Sequence, residues 1–128
     1  MGSPGKRLRC LIVDDSEPFV QAATSVLEHD GLAIVGTAAT IAEALRGVEE
    51  LRPDVTLVDI YLGDESGFEL AVLLDRDGWP FRTVVILTST HDHQEFQEMV
   101  AASPAVGFVP KDNLSGAKIR DLIASSHA

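Results

Sequence analysis

The sequence predicts an α/β fold with a single doubly wound, five-stranded parallel sheet in the order 2-1-3-4-5 and helices on both faces. Five short apolar runs alternate along the chain with five stretches of helical periodicity. The runs are continuously apolar, a pattern typical of parallel strands that are buried on both faces. Right-handed crossovers, together with this doubly wound order, place strands one and three side by side, where the winding reverses.

The first two βα units are marked by their end signals. Pro18 suits the first turn of a helix, and a capping box pairs Thr40 with Glu43 at the start of the next one. The predicted elements are, in order, strand Leu8–Val13, helix Ser16–His29, strand Leu32–Gly36 and a helix that ends before Pro53. Their apolar faces are expected at Phe19, Ala23, Val26 and Leu27 in the first helix and at Ile41, Leu45 and Val48 in the second.

The last three units follow the same alternation. Strands are predicted at Val55–Val58, Thr83–Leu87 and Val106–Val109. The helix after strand three opens at a second capping box, Ser66 to Glu69, and meets a stop signal at Asp77-Gly78-Trp79-Pro80. The fourth helix is expected over Asp92–Ala102, and the last helix carries Ile119, Leu122 and Ile123.

Composition limits the kind of protein this is. A chain of 128 residues, 45% hydrophobic, fits one domain, expected over residues 8–128 after a flexible lead-in of residues 1–7. The formal charge of −10 disfavours binding to nucleic acid or to anionic membranes by this chain alone. A single cysteine, Cys10, predicts a reducing, cytoplasmic setting. No apolar run approaches the ~20 residues of a membrane helix.

Polar residues follow or end four of the five predicted strands. They are Asp14 and Asp15 after strand one, Asp59 after strand three, Thr88 after strand four and Lys111 after strand five. The carboxyl ends of parallel strands meet at one edge of the sheet, beside the point where the winding reverses. Clustered carboxylates recruit a hard cation, and Mg²⁺ prefers oxygen ligands and keeps waters that a phosphate can replace. The sequence therefore predicts a magnesium and phosphoryl site, in which a carboxylate acts as nucleophile.

In these motifs the chain resembles a response-regulator receiver domain (CheY-like) of two-component signalling. The resemblance covers Leu8 to Ile123. It is carried by Leu-Ile-Val-Asp14-Asp15, Leu-Val-Asp59 with Gly67 eight residues later, Val-Ile-Leu-Thr88 and Gly107-Phe108-Val-Pro-Lys111. The fold it implies is the flavodoxin-like one already predicted from the apolar runs.

The resemblance implies a role for each site residue. Asp59 would accept a phosphoryl group from a sensor histidine kinase or a phosphotransfer protein. Mg²⁺ would be bound by Asp59, by Asp15 directly, by Asp14 through water and by the backbone carbonyl of Tyr61. Three further side chains complete the implied site and switch: Lys111, which pairs with the phosphoryl group, Thr88, which moves toward it, and Phe108, which turns after Thr88.

The resemblance also implies a mode of signalling. The surface formed by the fourth helix, fifth strand and fifth helix would report phosphorylation to an output domain or a separate protein, and a homodimer is left open. The chain would be a switch with intrinsic phosphotransfer and autodephosphorylation chemistry and not an enzyme. Lys111 is followed by Asp112, as in receivers attached to helix-turn-helix output domains.

Two other functions remain open on the sequence. A magnesium-dependent phosphatase of the haloacid dehalogenase type also uses an aspartate after a strand, but it needs a second aspartate two residues later, where this chain has Tyr61. A receiver-like scaffold that binds proteins without phosphorylation would not need all five site residues. Taken singly, Asp14 or Asp15 would be a helix cap and Lys111 a solvated lysine.

Overall fold

The computed structural model of the chain describes residues 7–75, 82–90 and 93–126. Its main sheet has five parallel strands in the spatial order β2-β1-β3-β4-β5, which confirms the predicted order and fold class. In chain order these strands are β1 (Arg9–Val13), β2 (Ala33–Ala38), β3 (Val55–Asp59), β4 (Val84–Ser89) and β5 (Gly107–Pro110).

Helices follow the strands in regular alternation. They are α1 (Glu17–His29), α2 (Ile41–Leu51), α3 (Gly67–Leu74), α4 (His93–Ala102) and α5 (Gly116–Ser126). Two smaller features were not predicted: a hairpin that pairs Tyr61–Leu62 with Glu65–Ser66, and a 3₁₀ turn at Lys111–Asn113. Within the described part of the chain, no helix has both the length and the apolar character required to cross a bilayer. Residues 1–6 of the predicted lead-in and the predicted stop signal at 77–80 lie outside that part.

Two apolar layers bury the two faces of the sheet. Because successive side chains of a strand point to opposite faces, Leu11 and Val13 join one layer while Cys10 and Ile12 join the other. The first layer also contains the buried residues of α2, α3 and α4, and the second contains those of α1 and α5. This double coverage explains why the strands read as unbroken apolar runs.

Three local expectations need correction. Strand four begins one residue later and extends two residues beyond Leu87, so Thr88 lies within it and not after it. Strand two begins one residue later and extends two residues beyond Gly36, because β2 stays paired with β1 up to Ala38. The buried face of α1 is Val20, Ala23 and Leu27, whereas Val26 is 42% exposed. At 3.6 residues per turn, Val26 lies about 90° around the helix from the centre of that face.

The predicted capping box of α2 is present in a shifted form. The hydroxyl of Thr40 accepts a hydrogen bond from the amide of Glu43 at 3.1 Å, and Glu43 accepts one from the amide of Ala39 at 2.9 Å. The return bond thus reaches the residue before the cap. Glu65, from the hairpin, accepts a further hydrogen bond from the amide of Ile41 at 2.9 Å, so a carboxylate of the hairpin also caps α2.

Candidate metal and phosphoryl site

The carboxyl edge of the sheet collects the predicted site residues. Asp14 and Asp15 directly follow β1, which is paired with β3, and Asp59 is the last residue of β3. Thr88 lies opposite Asp59 on β4, and Lys111 follows β5. The two loops at which the winding reverses therefore supply the acids, and the next two strands supply the hydroxyl and the ammonium.

The three carboxylates form a tight cluster. One oxygen from each of Asp14, Asp15 and Asp59 lies within 4.8 Å of the others. Asp14 and Asp59 are 3% and 6% exposed, whereas Asp15 is exposed to solvent. The cluster thus has two buried acids and one solvent-exposed acid, through which a hydrated cation can approach.

Asp14 is fixed in place, but it is incompletely satisfied. Its Oδ1 accepts a hydrogen bond from the amide of Ser16 at 2.8 Å, and its Oδ2 lies 2.7 Å from Nζ of Lys111. Among the described residues, Oδ2 is the only buried side-chain oxygen or nitrogen that lacks a hydrogen bond of regular geometry. An oxygen held by an ion pair alone keeps lone pairs for a cation.

Asp59 is held from two sides. Its Oδ1 accepts from the amide of Tyr61 at 3.1 Å, and its Oδ2 accepts from Nζ of Lys111 at 3.2 Å. Burial raises the pKa of Asp59 above its ordinary value, and the charge of Asp14 acts in the same direction, against the opposing effects of the Tyr61 amide and Lys111. Lys111 and the Tyr61 amide therefore do not fully compensate the negative charge of the Asp59 carboxylate.

Lys111 supplies positive charge to both buried acids. Burial acts against the charged ammonium, but its bonds and charge interactions with Asp14 and Asp59 outweigh burial and raise the pKa of Lys111. Three carboxylates and one ammonium still leave an excess of negative charge at the site. Oxygen donors with this charge fit a hard divalent cation such as Mg²⁺, so the residues present suit the metal that the sequence predicts.

The hydroxyl of Thr88 is engaged away from the acids. It is fully buried and donates a hydrogen bond of 2.6 Å to the backbone carbonyl of Val109 on β5. Its predicted phosphoryl contact would therefore require that this bond be given up.

Tyr61 and Phe108 are linked through an aromatic residue of α4. The Tyr61 ring packs edge-on against Phe96 at 5.9 Å between centroids, and Phe96 lies 6.5 Å from Phe108. Gly63 turns the hairpin with φ of 62°, in the left-handed region that glycine adopts without strain. The metal contact of the Tyr61 carbonyl and the movement of Phe108 stay predictions.

The contacts that three residues make at or near the site were not predicted from the sequence. Ser16, and not Asp14 or Asp15, caps α1 by accepting from the amide of Phe19 at 3.5 Å. The ring of Phe19, expected only in the apolar face of α1, lies 4.3 Å from Nζ of Lys111. Glu65 caps α2, as described above. The serine after two aspartates was a usable capping signal. No local sequence pattern indicates the other two contacts, because Phe19 and Lys111 are 92 residues apart in the chain and Glu65 and Ile41 are 24 residues apart.

Comparison with known proteins agrees with this geometry. A family model described as "Response regulator receiver domain" matches residues 10–124. The chain is 34% identical over 96 residues to protein-glutamate methylesterase/protein-glutamine glutaminase 2 of Koribacter versatilis (strain Ellin345), an alignment that covers 74% of this chain and 26% of that protein. It is 36% identical over 107 residues to the DNA-binding transcriptional activator DevR/DosR of Mycobacterium tuberculosis (strain ATCC 25618 / H37Rv), covering 82% and 48%.

Solved structures show the same fold. The signal receiver domain of the response regulator NarL from Mycobacterium tuberculosis superimposes with a TM-score of 0.80 at 23% sequence identity, covering 96% of this chain and 98% of that one. The alignments span only about a quarter to a half of the two curated relatives named above, which are longer proteins.

Proposed function

Since the chain belongs to the response regulator receiver domain family of two-component signalling switches, we propose that Asp59 is its phosphoryl acceptor. The observation that carries the proposal is the position of Asp59 within 4.8 Å of two further acids and 3.2 Å from Lys111. A buried carboxylate that faces both a cation site and an ammonium is suited to receive a dianionic group, because both positive charges would oppose the charge that it brings.

The proposed donor is a phosphohistidine on a sensor histidine kinase or a phosphotransfer protein. One carboxylate oxygen of Asp59 attacks phosphorus, a P–O bond forms and the P–N bond breaks, and the imidazole leaves with the electron pair. Bound Mg²⁺ would supply positive charge to the phosphoryl oxygens during this transfer. Lys111 would pair with the same oxygens, and its contact with Asp14 keeps it beside Asp59 beforehand.

The proposed metal ligands are the three clustered acids and one backbone carbonyl. We assign Asp59 and Asp15 as direct ligands, Asp14 as a ligand through water and the backbone carbonyl of Tyr61 as a further ligand. The lone pairs left on Asp14 and the exposure of Asp15 support this assignment. The reaction modifies the protein itself, so the proposed role is that of a switch and not of a turnover enzyme.

Phosphorylation would be reported by a change of hydrogen bonding at Thr88. The hydroxyl would exchange the Val109 carbonyl for a phosphoryl oxygen, and Phe108 would turn toward the space that Thr88 leaves. Both Phe108 and Val109 belong to β5, so the change would reach the surface of α4, β5 and α5. New contacts made only to the modified form would shift the population of this surface.

We assign the receiver unit to residues 8–128, after a lead-in of residues 1–7, and we place its action in the cytoplasm. Its proposed partners are the phosphoryl donor and an output domain or a separate output protein, with a homodimer as one form of output. Relatives named as a transcriptional activator and a methylesterase indicate that the same unit serves different outputs.

The proposal is tested by incubating the chain with Mg²⁺ and acetyl phosphate and locating the adduct by mass spectrometry. We expect one phosphoryl group on Asp59, lost in Asp59→Asn and in the presence of excess chelator. Asp64→Asn, an exposed acid of the same loop outside the cluster, is the matched control and should be labelled normally. Undiminished labelling of Asp59→Asn would contradict the proposal. Multiple turnover of organic phosphates would favour a phosphatase, and no labelling of the unmodified sequence would favour a scaffold.

A further inference from the structure

We propose that Phe19 is a positioning residue for the phosphoryl transfer, because its ring holds the ammonium of Lys111 between the two buried acids. The inference rests on the proposed function, since its consequence appears in the rate at which Asp59 is phosphorylated. It concerns a residue of α1, an element that supplies none of the side chains assigned above.

The ammonium of Lys111 has three close neighbours. Its Nζ lies 2.7 Å from Oδ2 of Asp14, 3.2 Å from Oδ2 of Asp59 and 4.3 Å from the centroid of the Phe19 ring, over which it is placed. A lysine ammonium has three donors, and the face of an aromatic ring attracts a cation at this distance. The ring therefore adds a third partner for the charge, beside the two acids.

The position of the ring is fixed by the start of α1. The amide of Phe19 donates to the hydroxyl of Ser16, and the amide of Ser16 donates to Oδ1 of Asp14. Oδ2 of the same carboxylate is the ion-pair partner of Lys111. The contacts thus form a closed circuit from Asp14 through Ser16 and Phe19 to Lys111 and back to Asp14.

The lysine needs this support because space is open beside it. A cavity of ≈ 400 Å³ is lined by Lys111 together with Ser16, Phe19, Thr90 and Asp112. A lysine has a flexible four-carbon stem and a strongly hydrated charge, so its ammonium can move away if only the two acids hold it. With the ring removed, we expect Nζ to spend time in the cavity, away from the atoms where the phosphoryl charge arrives.

The test compares two substitutions of one ring. Phe19→Leu keeps apolar bulk but removes the aromatic face, whereas Phe19→Tyr keeps the face. We expect phosphorylation of Asp59 by acetyl phosphate and Mg²⁺ to be about two- to tenfold slower in Phe19→Leu and close to the unsubstituted rate in Phe19→Tyr. Phe68→Leu, a partly buried aromatic residue that packs on Phe96 and not on the lysine, is the matched control.

A double-mutant cycle separates positioning from a general loss of structure. If Phe19 acts through Lys111, Phe19→Leu will have no effect on the rate in a Lys111→Met background. The inference is overturned if Phe19→Leu reacts at the unsubstituted rate or faster, if Phe19→Tyr is as slow as Phe19→Leu, or if the effect persists without the lysine. An unsubstituted chain that is not labelled at Asp59 would instead refute the proposed function.

Discussion

The hydroxyl of Thr88 has two alternative acceptors: the Val109 carbonyl in the unmodified chain and, in the proposed function, a phosphoryl oxygen on Asp59. The side chain is fully buried, and its 2.6 Å bond to the Val109 carbonyl ties β4 to β5. A phosphoryl group on Asp59, the residue opposite Thr88 in the sheet, would offer the same donor a charged acceptor. Hydrogen bonds to charged groups are roughly twice as strong as neutral ones, so the exchange is favourable once the phosphoryl group is present.

Removal of that hydroxyl should therefore have two separable effects. We expect Thr88→Val, which keeps the shape, to destabilise the unmodified chain by about 0.5–1.5 kcal/mol, because it deletes one buried hydrogen bond. The same variant should still be labelled at Asp59 but should lose the change at β5, measured as phosphorylation-dependent amide shifts by NMR. Urea unfolding gives the stability.

Thr88→Ser is the control for the signalling effect, because it keeps the donor. It should retain the shifts at β5, although deletion of a buried methyl group costs it about 1 kcal/mol of stability. Normal NMR shifts at β5 in phosphorylated Thr88→Val would show that the hydroxyl does not carry the signal.

At the scale of elements, α3 and β3 meet at a position that only glycine can occupy. A Cβ on Gly67, the first residue of α3, would overlap the carbonyl oxygen of Asp59 and would lie 2.9 Å from its carbonyl carbon and 3.0 Å from Cα of Ile60. All three atoms are backbone, so no side chain can move aside. The amide of Gly67 also donates to the carbonyl of Ile60 at 2.8 Å, which fixes the helix start close to the acceptor.

We expect Gly67→Ala to destabilise the fold by about 1–3 kcal/mol, a common cost of overpacking. It should also slow the phosphorylation of Asp59, because relief of the overlap displaces the end of β3. The measurements are urea unfolding and labelling by acetyl phosphate.

Gly47→Ala is the matched control, since its Cβ would meet only Leu11 side-chain atoms at 3.4 Å within α2. There alanine should be neutral or stabilising by up to about 1 kcal/mol, through helix propensity. Equal effects of the two substitutions would contradict the close contact at Gly67.

The elements also show what could be predicted from the sequence. Strand order followed from five unbroken apolar runs taken together with a common doubly wound arrangement, and the cluster of acids followed from strand ends, because the carboxyl ends of parallel strands lie at one edge of the sheet. The ring of Phe19 over Lys111 and the carboxylate of Glu65 on the amide of Ile41 could not be predicted, since helix rotation and loop path decide them. The exposure of Val26 has the same origin, because packing on the sheet buries the face of α1 that carries Val20, Ala23 and Leu27.

At the scale of the whole molecule, burial of the Asp59 carboxylate works against folding. The chain carries a formal charge of −10, and two of its acids are buried together at one edge of the sheet. Burial raises the pKa of Asp59, so the unfolded chain releases that proton at lower pH than the folded chain does. Stability contributed by this group therefore falls as pH rises from the ordinary carboxyl pKa through the raised one, and at neutral pH its ionised form opposes folding.

A bound cation should reverse this effect, because it binds the folded chain in which the three acids are together. A ligand at ten times its Kd stabilises a folded protein by about 1.4 kcal/mol. We therefore expect Mg²⁺ to raise the melting temperature, and Asp59→Asn to be more stable than the unsubstituted chain without Mg²⁺ but to gain little from it. Glu49→Gln, which removes an exposed charge of α2, should keep the full gain. Calorimetry at constant ionic strength measures all three chains. An equal gain in Asp59→Asn would mean that Mg²⁺ acts by screening the net charge and not by binding at the cluster.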